Sequence, residues 1–353
     1  MQISAKICSG LALVFTLVLS VYAQPHNSEK LLPFTEHKKW GFINTNGDVV
    51  IKPQFDYVRD FSDGLSAVRI DRKWGYIDAT GKWIVEPKYE LAQQFAEGRA
   101  QVRTGGMWSS EPVYLIGGET FYIDKSGSVI FKLLRSPLGT SYDDYTFSEG
   151  LLSVQLDHGY GYLDTSGKTS IEGRFDYAGD FSEGVAGVWV GNNIGYVDQQ
   201  GKFVIPPEYP IAGWGHPNPC TEGIIAIPMG GMMGYLDKSG KIAISRRFYH
   251  ADIFSEGLSA VQPTEKKYIH GYIDKSGRMV IEPKFDVARR FSEGLAAVRV
   301  NDKWGYIDKN GKWAIKPRFT EAKGFSGGVA YIRTITQWGY ITKSGVYIWL
   351  SQK

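Results

Sequence analysis

The six residues KWGYID at Lys73–Asp78 recur letter for letter at Lys303–Asp308. The surrounding text runs in parallel, FSDGLSAVRIDRKWGYIDATGKWIVEPKY from Phe61 to Tyr89 against FSEGLAAVRVNDKWGYIDKNGKWAIKPRF from Phe291 to Phe319. A chain that copies itself is built from units, and its 353 residues are not to be divided into domains by length alone. Aligned on one glycine, the copies place Gly41, Gly75, Gly161, Gly195, Gly234, Gly271, Gly305 and Gly339 in a single series, with Phe121 filling the slot in one further unit. The period is 34 residues where nothing is inserted. A second marker follows in each unit, FSDG at Phe61, FAEG at Phe95, FSEG at Phe147, Phe181, Phe254 and Phe291, CTEG at Cys220 and FSGG at Phe325. Eight units read as complete and a ninth as cut short after Trp338.

Within a unit, GYIDKSGRMVIEPKF (Gly271 to Phe285) predicts a hairpin. Its aspartate can accept turn amides and its second glycine can take a left-handed conformation. Pro53, Pro87, Pro283 and Pro317 are expected to end the second strand, since proline has no N–H for the ladder. Phe285, Ala288 and Phe291 stand near helical spacing, which predicts one helical turn closed by Gly294. LAAVRV then returns as a third strand. Three short strands cannot bury an apolar face alone, so neighbouring units must cover one another. Tryptophan and tyrosine of WGY share a strand face, and the glycine between them leaves the other face bare for close backbone approach. The residues Trp40, Gly41, Trp74, Gly75, Gly161, Gly195, Gly234, Gly271, Trp304, Gly305, Trp338 and Gly339 are therefore assigned to the repeat framework, and an aromatic ladder is expected along the array.

KWGFI, KWGYID, GKWIVEP and FSEGLAAV resemble the WG-containing repeat family of bacterial β-repeats, over nearly all of the chain from Lys39 onward. The resemblance implies an interaction module with no assigned ligand or reaction. The chain departs from the pattern where tryptophan is replaced before Gly161, Gly195, Gly234 and Gly271, and where one unit reads TFYID.

Residues 1–23 read as a cleaved secretory signal, with Lys6, an apolar run from Ile7 to Val21, and small residues up to Ala23. The run is shorter than the roughly 20 residues of a membrane span. Residues 24–38 read as an N-terminal linker and 39–353 as the repeat array, exported to the periplasm or outside the cell. Without the signal only Cys220 remains, so no internal disulfide is expected and packing of repeats must hold the fold. Forty basic against 37 acidic residues, scattered along the units, leave no nucleic-acid footprint. No membrane contact is expected after cleavage.

Catalytic and metal chemistry find little footing. Glu149, Glu183, Glu256 and Glu293 occupy one slot of successive units, whereas a glycosidase needs an asymmetric pair of facing carboxylates. The turn aspartates offer one carboxylate per turn, too few for calcium. His26, His37, His158, His216, His250 and His270 lack zinc-ligand spacing, and no G-x-S-x-G elbow or phosphate-binding loop occurs. Cys220, near His216, stands where other units have phenylalanine and reads as a buried apolar substitute. No enzyme, cofactor or metal is expected.

Function is then sought where the period breaks, in the stretches from Arg103 to Thr120, Lys132 to Thr146, Pro210 to Gly223 and Gln262 to His270. Trp108, Tyr114, Tyr142, Tyr145, Trp214 and His216 in these stretches are the candidate partner-binding residues, since rigid aromatics serve as interface anchors. The sequence predicts an all-β tandem array of about eight to nine three-stranded meanders stacked as a solenoid, with a closed propeller-like ring as the alternative. Its expected role is a non-catalytic scaffold binding a protein or peptide. Binding or hydrolysis of cell-wall glycan, or a structural surface element without a ligand, are the alternatives.

Overall fold

The computed structural model describes residues 30–108, 115–133, 145–211, 215–263 and 269–352. Among these residues the strands form nine small antiparallel sheets and one separate two-stranded hairpin. The eighth sheet shows how one unit is built. Val287–Ser292 pairs with Leu295–Val300, that strand with Lys303–Asp308, and that with Trp313–Phe319. The sheets are the blades of a closed ring, and in the six blades with four strands the lead strand follows directly on the outer strand of the blade before.

The local rules hold with two corrections. The aspartate of each turn works as expected: Asp308 Oδ1 accepts from the amides of Asn310 and Lys312, both at 2.9 Å. Gly311 beside it has φ +75°. The glycine of WG permits close approach, since a Cβ on Gly305 would lie 2.5 Å from the Ile315 carbonyl oxygen and 2.7 Å from Pro317 N. Pro317, however, does not end its strand. It falls in a bulge between the pairs Tyr306↔Ile315 and Trp304↔Phe319, where a missing N–H leaves no gap in the ladder. The expected helical turn is likewise a strand. Val287 and Ala288 pair with Arg299 and Val298, and in five other blades the same stretch is a two-residue strand, as in Tyr57–Val58. Ladder bonds made at once by the adjoining strand outweigh a spacing that would support barely one helical turn.

The array is a ring and not an open solenoid. Nine core clusters lie between blades, one for each pair of neighbours, and the ninth joins the ends: Leu32, Phe34 and Ile43 of blade 1 pack on Val329 and Tyr340 of blade 9. An open row of nine would have eight such interfaces. Trp40 stacks on Trp338 at 5.6 Å, and the Tyr340 hydroxyl donates to the Pro33 carbonyl at 2.9 Å. Leu32–Glu36 is thus the first strand of blade 1, within the segment read as a linker. The unit read as cut short supplies Trp338–Thr342 and Tyr347–Leu350, which complete blade 9. Sequence unit and blade are offset: the blade starts at the lead strand, the sequence marker at its third strand.

The aromatic ladder forms on tyrosine rather than tryptophan. Tyr76, Tyr122, Tyr162, Tyr196, Tyr235, Tyr272 and Tyr306 are almost completely buried. Each donates its hydroxyl to a backbone carbonyl of the following blade, at 2.7–3.0 Å: Gln93, Tyr145, Gly179, Asn218, Asp252, Arg289 and Lys323. A buried side chain of this size contributes about 1.5–3 kcal/mol, and its hydroxyl is satisfied in the same contact.

Candidate functional site

The repeated carboxylates are committed to the ring. Glu183 accepts from the amides of Glu222 and Gly223 in the next blade, at 2.5 and 2.8 Å. Lys238 of that blade lies 3.2 Å from it. Asp63, Glu97, Glu149, Glu222, Glu256 and Glu293 reach the following turn in the same way. Each of these acidic residues sits at a φ near +50°, an uncommon conformation that turns its carboxylate toward the neighbour. Burial tends to raise the Glu183 pKa, but hydrogen bonds from the Gly223 amide and Lys238 outweigh it and the net shift is downward. Serine at the preceding slot adds a second link, Ser62 Oγ to the Phe95 carbonyl at 2.6 Å and Ser292 Oγ to that of Phe325 at 2.5 Å.

Cys220 is buried in the phenylalanine slot. Its Sγ lies 3.6 Å from Glu183 Oε2, and burial together with that carboxylate pushes the thiol up to about 11. His216 is engaged elsewhere, stacked on Tyr177 at 4.3 Å and on Trp189 at 5.4 Å.

The six candidate anchors separate. Tyr114, Tyr142 and Trp214 lie outside the described residues. Tyr145 and His216 take the place of a lead strand in blades 4 and 6, whose sheets have three strands. Tyr145 packs against the cluster of Tyr122 and Phe147, and its carbonyl receives the Tyr122 hydroxyl. In blade 6 the Asn218 side-chain amide donates to the Ala226 carbonyl at 3.0 Å, a bond that a lead-strand backbone N–H makes in other blades. Both aromatics therefore serve the stack.

Trp108 stands apart from it. The second and third strands of blade 3 continue beyond Thr104 and Glu119 into a small hairpin, Met107–Trp108 paired with Leu115–Ile116. Paired glycines, Gly105–Gly106 and Gly117–Gly118, all at positive φ, form its base. A Cβ on Gly118 would meet the Gly105 carbonyl oxygen at 2.6 Å, so the two legs cross closely there. Met107 is 77% exposed and Trp108 44%, adjacent on this hairpin.

Sequence reasoning missed a second site, the groove at the seam. Blade 1 has no lead strand among the described residues, and two cavities, about 550 and 510 Å³, lie where it would run. Asp60 and Gln94 line both cavities. Trp40, Tyr331, Trp338 and Lys323 line the first, Lys30 and Phe61 the second. Residues from blades 2, 3 and 9 meet in one cavity, which places the lead strands toward the inside of the ring. The sequence signal for this seam is FSGG at Phe325, where glycine replaces the carboxylate that would clasp the next blade. Lys30 bridges instead, donating to the Ser326 carbonyl at 2.9 Å. Burial lowers the Lys30 pKa against the opposing attraction of Asp60 and Glu293.

In fold, the chain is similar to a solved structure described as the eukaryotic initiation factor, with a TM-score of 0.57 at 11% identity over 92% of this chain and 97% of the other. A weaker likeness, TM-score 0.37 at 10% identity, covers 84% of this chain and 97% of Hsv2p from Kluyveromyces lactis. No curated protein matches the chain. The family model described as WG containing repeat matches residues 40–74, 74–108, 160–193, 194–213, 233–268, 271–304 and 304–334. With the blade framework resting on these segments, the chain belongs to the WG containing repeat family.

Proposed function

We propose that the protein is an exported, non-catalytic scaffold that binds a protein or peptide partner through a feature added to its ring. The residues common to the blades support this by what they already do: the tyrosines, serines and glutamates of the series are engaged with neighbouring blades. The single observation that carries the reading is the hairpin of blade 3. It exposes Met107 and Trp108, consecutive strand residues whose side chains leave opposite faces of the hairpin, on an element that belongs to none of the core clusters among the described residues. Large apolar side chains exposed on a projecting hairpin are the chemistry of an interface anchor. The leader-like text of residues 1–23 supports export.

The test compares wild type with Met107→Ala and Trp108→Ala. Partners recovered from the organism's own envelope by the wild-type protein are identified, purified and titrated against all three. Each substitution should weaken binding by roughly 2 kcal/mol or more with the unfolding midpoint unchanged. Equal affinities would remove the hairpin from the interface. Saturable binding of cell-wall glycan fragments, lost in Trp108→Ala and without any protein partner, would favour the glycan alternative.

A further inference from the structure

Blade 7 departs from the repeat in two slots that touch. In blade 2 the lead strand sets Tyr57 beside Trp74 of the WG strand, with ring centroids 5.8 Å apart and planes inclined at 73°. Blade 7 has histidine in both slots. His250 opens the lead strand His250–Ala251 as Tyr57 opens Tyr57–Val58, and His270 stands before Gly271 as Trp74 stands before Gly75. The two imidazoles keep the same arrangement, 5.8 Å and 77°. Packing alone does not call for histidine there, since the other blades fill the slot of His270 with tryptophan, threonine, tyrosine, isoleucine or methionine. The chain has only six histidines in 353 residues, yet two of them meet in this pair of slots.

The two rings differ in a way that suits shared ligation. His270 is half-buried, and its Nδ1 is buried with no hydrogen-bond partner among the described residues. Burial and then the neighbouring His250 lower the His270 pKa, against hydrogen bonds to the backbone of Phe285 and Asp286 that raise it. The ring is therefore neutral near pH 7, the form that binds a metal. Its contact with backbone groups is the kind of outer-shell support that orients a ligating imidazole. His250 is exposed, so its ring is open to solvent and able to turn. With metal–nitrogen bonds of roughly 2.0–2.1 Å, two imidazoles on one ion have centroids about 5–6 Å apart, which the observed spacing meets.

We infer that His250 and His270 form a two-imidazole site for a divalent transition ion of the zinc class. No group of three or more histidine, cysteine, aspartate or glutamate side chains that could hold a metal occurs among the described residues. Two positions of a tetrahedral ion are thus left to water or to a donor from a partner, and the site is open and exchangeable rather than a structural four-ligand centre. The pair is hidden in the sequence, because the two histidines stand twenty residues apart in no ligand spacing and only the pairing of the lead strand with Leu258–Gln262, and of that strand with His270–Asp274, brings them together.

Zinc chloride titrated into the purified protein at pH 7, with the histidine ring signals followed by NMR and the affinity by calorimetry, tests this. The signals of His250 and His270 should shift together, with one midpoint and one ion per chain, while those of the exposed His37 and His158 stay in place. His250→Tyr and His270→Trp restore the residues that blade 2 carries, so they keep the ring packing and remove one ligand each. Either should weaken zinc binding by at least the roughly tenfold that loss of an outer-shell partner costs, with the β-signal in circular dichroism unchanged. Wild-type protein that takes up no zinc overturns the site. So do His250 and His270 signals that move independently or follow those of His37 and His158, and so does an affinity that survives both substitutions. None of these readouts depends on the hairpin of blade 3.

Discussion

Gly305 and Gly294 look alike in the sequence, each recurring once per unit, yet they are required for different reasons. Gly305 has ordinary backbone angles, and a methyl group there would press on the Ile315 carbonyl and Pro317. Gly294 has open space around it but a φ of +85°. Gly305→Ala should therefore cost about 2 kcal/mol or more by overpacking, and Gly294→Ala about 1 kcal/mol by strain alone. Denaturant unfolding of both variants checks this, and equal losses would contradict the close approach. The distinction was legible in the sequence because glycine in the middle of WGY sits inside a strand pattern, whereas glycine after a carboxylate ends one. The partners of individual side chains were not legible. His216 reads as a loop residue near Cys220, but its ring packs against two blade 5 aromatics, and only the fold brings Tyr177 and Trp189 to it.

The interblade clasp links two turns through one carboxylate and offers a direct measure of how blades hold one another. Glu256 accepts from Gly294 at 3.0 Å and pairs with Lys309 at 3.1 Å. The amide bond is the stronger part: Glu256→Ala should cost about 1–2 kcal/mol. Lys309→Ala should cost under about 1 kcal/mol, since that ammonium is largely in water. A double-mutant cycle separates the two, and a Lys309 effect as large as that of Glu256 would show the ion pair to be the main link. That these glutamates are structural was readable from their recurrence in successive units. The lead strand was not readable, because two paired residues are too few to show an alternating pattern and Phe285, Ala288 and Phe291 mimic a helical one. Strand identity there is set by the edge of Leu295–Val300, a partner supplied by the next part of the chain.

At the scale of the molecule, closure depends on whether the ninth blade meets the first, and a local pattern does not carry that angle. A blade of 34 residues is shorter than the roughly 40 to 50 of common propellers, yet a two-residue lead strand shortens the blade without removing an interface. The ring is held by one buried tyrosine at each junction but that of blade 1 with blade 2, where Phe42 packs on Phe61 instead. This makes stability sensitive to alkali. Burial raises the pKa of Tyr76, Tyr122, Tyr162, Tyr196, Tyr235, Tyr272, Tyr306 and Tyr340. Each keeps its proton in the folded ring at pH values where the unfolded chain, titrating near pH 10, has lost it. Their contribution is complete below about pH 10 and declines as pH rises above it, because the unfolded state then binds fewer protons than the folded one. Several such groups acting on the same interfaces should make the decline steep. Tyrosinate absorbance and the strand signal in circular dichroism, followed together from pH 8 to 13, should show these tyrosines ionising as the strands are lost. Complete tyrosine ionisation with the β-signal intact would mean that the interblade hydroxyls are open to solvent and do not hold the ring closed.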